Sequence, residues 1–173
     1  MPRRWATFFA AAVGRVAVVV LLLALASGET AYGQSAEQQR DSLAGIGSVR
    51  VIIQPLSENG KAIGLREDGL KALVELQLRR NGVPVTELPD SSFLYVNVLV
   101  LDRDTPIVST ISVALRQRVI RLANRRSQFA TTWEAAITAR RSSADRTRDF
   151  IRDTISEEVD VFSNDYLAVN PQP

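Results

Sequence analysis

An alternation of apolar and polar residues over positions 107–122 constrains this chain most. Ile107, Ile111, Val113, Leu115 and Val119 share one parity, and Thr110, Ser112, Arg116 and Arg118 share the other. Side chains of a strand point to opposite faces with period two, so the first set faces a core. Residues 129–138 repeat the pattern. Phe129, Trp133, Ala135 and Ile137 fall on the apolar parity, and Ala130, Thr132, Glu134 and Thr138 on the other. Both apolar sets are odd-numbered. Directly paired residues share a face, so partner numbers must add to an even value. That rule predicts a three-residue loop at 124–126, with Arg116 or Arg118 opposite Glu134. A flat strand over 107–122 would span about 53 Å at roughly 3.3 Å per residue, too long for a domain of this size. The parity also breaks near Gln117, which predicts a bulge or bend between Gln117 and Arg121, or an overhanging end. Residues 93–101 are apolar on both parities and read as a central strand, or one covered on both faces.

The other elements follow from their own patterns. Residues 48–56 read as a first strand and 57–64 as a loop rich in turn formers. Residues 65–80 read as a helix, with Glu67 and Asp68 in the first turn and Arg79 and Arg80 in the last. Asn81 and Gly82 stop it, and Leu70, Leu73, Val74 and Leu78 form its apolar stripe. A second helix is expected over 142–170, capped by Ser142 or Ser143. Its stripe is Ile151, Ile155, Val159, Phe162, Tyr166 and Val169. The order β-α-β-β-β-α predicts an α+β two-layer sandwich: a four-stranded, mostly antiparallel sheet with two helices on one face. The single α+β domain is expected over 48–170.

The chain begins differently. Arg3 and Arg4 precede an apolar run at 16–26, and the small residues Ala31 and Gly33 follow. This is the pattern of a cleaved secretory signal over 1–33, with cleavage near Gly33 and a periplasmic or secreted product. Residues 34–47 read as a flexible lead-in. Three of the 21 basic and one of the 19 acidic residues fall in the signal, leaving 18 of each. A net charge of zero argues against nucleic acid as a partner.

The chain contains no histidine and no cysteine, which removes Ser-His-Asp and Cys-His catalysis and the usual metal and haem ligands. No cofactor is expected. Asp102 and Asp104 sit where carboxylates solvate a turn. Glu157, Glu158 and Asp160 read as a solvated helix face. Trp133 beside Glu134 has the parity of a packed core residue, and Tyr166 of the Asn164, Asp165, Tyr166 run belongs to the buried stripe. The arginines are the remaining candidates. Arg116, Arg118, Arg121, Arg125, Arg126, Arg140 and Arg141 gather around the last hairpin. The plain account is solubility and pairing with Glu134. The sharper one makes Arg116, Arg118, Arg125 and Arg126 a partner-binding set for an envelope protein or an anionic lipid surface.

The ending from Val159 through Asp160, Phe162, Asn164, Asp165 and Tyr166 to Asn170 and Pro171 resembles the tail of small exported bacterial proteins of unknown function. Leu76 to Val83 and Ala130 to Glu134 are similar to other segments of that group. The element order is also similar to that of periplasmic auxiliary proteins of ABC-type transport and lipopolysaccharide export. Those are often lipid-anchored through a cysteine that this chain lacks. The group of small exported proteins has no assigned activity to carry over, and the chain reads as a non-enzymatic binding or accessory protein of the cell envelope that engages a partner through its sheet face or hairpin. A periplasmic hydrolase working through carboxylates, with or without a metal, is the alternative.

Overall fold

The computed structural model describes residues 34–89, 91–101, 106–141 and 143–171. The expected signal segment and the Asp102 and Asp104 turn lie outside them. The alternating stretches form strands β1 (Arg50–Ile53), β2 (Phe93–Leu101), β3 (Ile107–Ile120) and β4 (Ser127–Arg141). They lie in the order β1-β2-β3-β4. β1 runs parallel to β2, and β2, β3 and β4 form an antiparallel meander. The sheet is therefore mixed, and the fold is α+β.

Among the described residues the helices are α1 (Ala36–Asp41), α2 (Glu58–Ala62), α3 (Glu67–Arg80) and α4 (Ala144–Val169). One face of the sheet is buried. Leu94, Val96, Val98 and Val100 of β2 and Ile111, Val113 and Leu115 of β3 meet the stripes of α3 and α4 there. Leu70, Val74 and Leu78 come from α3, and Ile151, Ile155, Val159, Phe162 and Tyr166 from α4. Trp133 lies in this core, its ring edge-on to Phe162 at 5.2 Å between centroids. β2 is central, as its composition predicts. Its second face is open, with Leu99 and Leu101 exposed.

Two segments expected to be irregular are helical. The lead-in holds α1, fixed by a reciprocal capping box between Ser35 and Gln38. After it the chain is anchored rather than flexible, because Leu43 is fully buried in the core. The C-terminal end of α4 grips it. Asn170 accepts from the Gly45 amide at 2.8 Å and donates to the Leu43 carbonyl at 2.9 Å, and the Tyr166 hydroxyl donates to the Ile46 carbonyl at 2.7 Å. The expected loop at 57–64 contains α2, whose N-cap is Ser57. Both helices are short and polar, so no apolar stripe announces them.

The β3–β4 hairpin departs from the expected register in an instructive way. From Ile107 opposite Arg141 to Leu115 opposite Trp133, partner numbers add to an even value, as face-sharing demands. Glu134 therefore lies opposite Ala114, not opposite Arg116 or Arg118. Thr132 is then skipped, and Arg116 pairs with Thr131. The irregularity sits just before the predicted 117–121 window, and the extra residue is on β4, so β3 itself runs on to Ile120. Gln117 and Ser42 satisfy the bulge. Gln117 Nε2 donates to Thr132 Oγ1 at 2.7 Å, and Ser42 Oγ donates to the Thr132 carbonyl at 3.0 Å. Beyond the bulge partner numbers add to an odd value, which requires a loop of even length. The loop is 122–125, not 124–126. It is closed by Arg121 N donating to the Arg126 carbonyl, with Arg125 at φ 52°.

Candidate functional site

The bulge decides which residues meet on the open face. By simple parity Phe129 belongs with Trp133 in the core. The skipped Thr132 turns it over, and Phe129 is 43% exposed on the face opposite the helices. There its ring lies 5.2 Å from that of Phe93. The parallel pairing of β1 and β2 places Arg50 directly beside Phe93, and its guanidinium lies 5.7 Å from that ring. Arg118 stands opposite Phe129 and covers it at 5.6 Å. Arg116 covers the Tyr95 ring at 4.3 Å. Tyr95 is held by its hydroxyl, which donates to Gln54 Oε1 at 2.7 Å.

The open face thus carries a row of guanidinium groups and rings drawn from all four strands. Such stacking is worth about 0.5–1 kcal/mol at exposed sites. Its larger consequence is that it holds long side chains in place on the sheet. Around Arg116 and Arg118 the sequence is free of carboxylates, because residues 105–133 contain no aspartate or glutamate. Glu134, the expected partner of the arginines, accepts instead from Ser112 Oγ at 2.9 Å. Among the described residues Arg116, Arg121, Arg125 and Arg126 form no ion pair.

The structure divides the predicted arginine set. Arg116 and Arg118 belong to the stacked row, whereas Arg125 and Arg126 lie at the hairpin tip with Arg121. Arg140 and Arg141 are not part of the cluster. They sit at the far end of β4, beside Ile107 and Val108, and Arg141 covers Phe150 at 3.8 Å. Sequence reasoning missed Arg50, Phe93, Tyr95 and Phe129 as members of the surface. The acid-free run at 105–133 was a readable signal; the bulge that exposes Phe129 was not.

The other candidate groups are structural. Asp165 accepts from Trp133 Nε1 and Arg40 Nε, both at 3.0 Å, tying α4 to β4 and α1. Asp160 accepts from Gln77 and Asn81 at 2.5 and 2.6 Å, tying α4 to the end of α3. Segments 76–83, 130–134 and 159–171 thus knit together. Asn81 meets Asp160, Trp133 meets Asp165, and Tyr166 and Asn170 hold the chain after α1. Burial and the neighbouring Glu157 hold the Glu158 carboxyl above its ordinary value, and burial raises the Tyr166 phenol. Among the described residues no three acidic side chains converge where a metal ion could sit.

No protein-family model and no curated protein matches this sequence. Among solved structures, the chain is similar to a minor lipoprotein from Acinetobacter baumannii. The two are 15% identical, with a TM-score of 0.36 over 71% of this chain and 94% of that one. It is also similar to the rare lipoprotein B from Shewanella oneidensis, at 15% identity and a TM-score of 0.30. That match covers 70% of this chain and 97% of the other. At such TM-scores the likeness carries no inference about function.

Proposed function

We propose that this chain is a non-enzymatic binding or accessory domain of the bacterial cell envelope. It engages an anionic partner through the open face of its sheet. The observation that carries this reading is the row of Arg50, Arg116 and Arg118 stacked on Phe93, Tyr95 and Phe129, with no acidic residue over 105–133. Fixed guanidinium groups recognise carboxylate and phosphate oxygens through paired donors. Ordering them before binding lowers the entropy cost of association. The envelope location rests on Arg3, Arg4 and the apolar run at 16–26, and the exported form begins near Gln34. Intact-mass measurement of the exported protein tests that start, and a mass that includes residues 1–33 counts against it.

The binding reading is tested by crosslinking in envelope preparations with the parent and an Arg116→Ser, Arg118→Ser variant. The parent should form adducts at low salt that fade as salt rises, because exposed charges are screened within about 10 Å at ~0.1 M. The variant should form few. Equal adducts from both proteins would mean that the stacked arginines serve only the sheet.

A further inference from the structure

β2 starts at Phe93, opposite Arg116, so β3 and β4 continue past the sheet as a two-stranded arm. Four residues of β3, Gln117 to Ile120, lie beyond that point and pair only with β4. At about 3.3 Å per residue the arm extends roughly 13 Å before the loop begins. Its end is apolar in an unusual way. Leu122 is 96% exposed and Ile120 68% exposed. Arg121, Arg125 and Arg126 surround them within the same turn, and the loop is held by the Arg125 and Arg121 amide bonds to the Arg121 and Arg126 carbonyls.

We infer that this tip docks on a phospholipid bilayer bearing anionic headgroups, with Leu122 and Ile120 entering the acyl boundary. The inference rests on the binding reading above and names its partner. Charge and depth both select this occupant. A bilayer about 40–45 Å thick with a core of about 30 Å has headgroup layers of roughly 5–7 Å. The arm is long enough to cross one while the sheet stays outside. Aliphatic residues at the extreme end and arginines one step behind match that layering, since guanidinium groups remain with phosphates while apolar tips go deeper. An acidic protein surface would satisfy the arginines but give Leu122 no apolar layer to enter. Each arginine at an anionic surface strengthens partition about fivefold, and burial of Leu122 adds about tenfold or more.

The test places a reporter at the tip. Leu122→Trp in the full chain is mixed with vesicles of phosphatidylcholine alone or with a third phosphatidylglycerol. Trp133 is enclosed in the core and supplies a constant background, and the parent protein corrects for Trp5. The tip emission should shift to the blue and be quenched by brominated acyl chains, only with phosphatidylglycerol present. Adding Arg121→Ser, Arg125→Ser and Arg126→Ser should weaken this partition about a hundredfold. Absence of quenching in anionic vesicles overturns the inference. A blue shift seen only with an acidic envelope protein also overturns it, assigning the tip to a protein partner. If quenching is absent while Arg116→Ser, Arg118→Ser still abolishes crosslinking, the tip inference fails and the binding reading stands.

Discussion

Single residues show where this sequence accepts a local cost. Ser109 has the core parity of β3 and is fully buried, yet its Oγ has no hydrogen-bond partner. An orphaned buried hydroxyl costs about 1–3 kcal/mol. Ser109→Ala removes that group and leaves little void, so it should stabilise the domain by about 1 kcal/mol, read as a higher urea midpoint at unchanged slope. Glu158 shows a second cost. Its folded carboxyl holds its proton more tightly than the unfolded one, because burial and Glu157 disfavour the charge. The native state therefore binds more protons than the unfolded state just above the ordinary value of 4.5. Stability from this group is full below that value and is lost as pH rises through the raised one. Glu158→Gln should raise the Tm at pH 7, with the gain shrinking toward pH 4.5. A constant gain across that range would assign the effect to packing. Residue parity made the burial of Trp133 legible but placed Phe129 wrongly, because parity carries over only while the ladder is unbroken.

Elements were legible in proportion to their apolar periodicity. The long stripe of α4, the alternation of β3 and the apolar run of β2 are long enough to identify each element. α1 has no such stripe, and its only signal was local: Ser35 followed three residues later by Gln38, a capping box. Its importance comes from beyond the helix, through the contacts of Leu43, Gly45 and Ile46 with the end of α4. Substituting Leu43 by Ala should cost about 2–5 kcal/mol, as for other fully enclosed leucines. A change within a few tenths of a kcal/mol in chemical denaturation would show that the segment rests on the domain without sharing its core. Length and parity predicted a bulge, a bend or an overhanging end, but neither the place of the bulge nor its strand. What fixes Thr132 is the pair of bonds from Gln117 and Ser42, and Ser42 lies 90 residues away in sequence. No local pattern contains that information.

At the scale of the whole molecule, charge is separated rather than abundant. From Gln34 onward 18 basic and 18 acidic residues balance. Residues 105–133 nevertheless carry five arginines and no carboxylate, whereas α4 carries seven acidic and three basic residues. Asp145, Asp149, Asp153 and Glu157 are exposed on α4, and that helix covers the face opposite the stacked arginines. Screening limits each exposed charge to about 10 Å at ~0.1 M ionic strength, so the two faces act on a partner almost independently. Net charge therefore misstates how the protein meets a charged surface. A chain beginning at Gln34 should bind a sulfonate resin at pH 7 in low salt although its formal charge is zero. Arg121→Ser, Arg125→Ser and Arg126→Ser should bring elution to a markedly lower salt concentration. Asp153→Asn with Glu157→Gln adds two units of positive charge on the far face and should shift elution much less. Opposite shifts in proportion to the charge changed, three units lost against two gained, would mean that the resin reads total charge, and the hairpin would then hold no orienting patch.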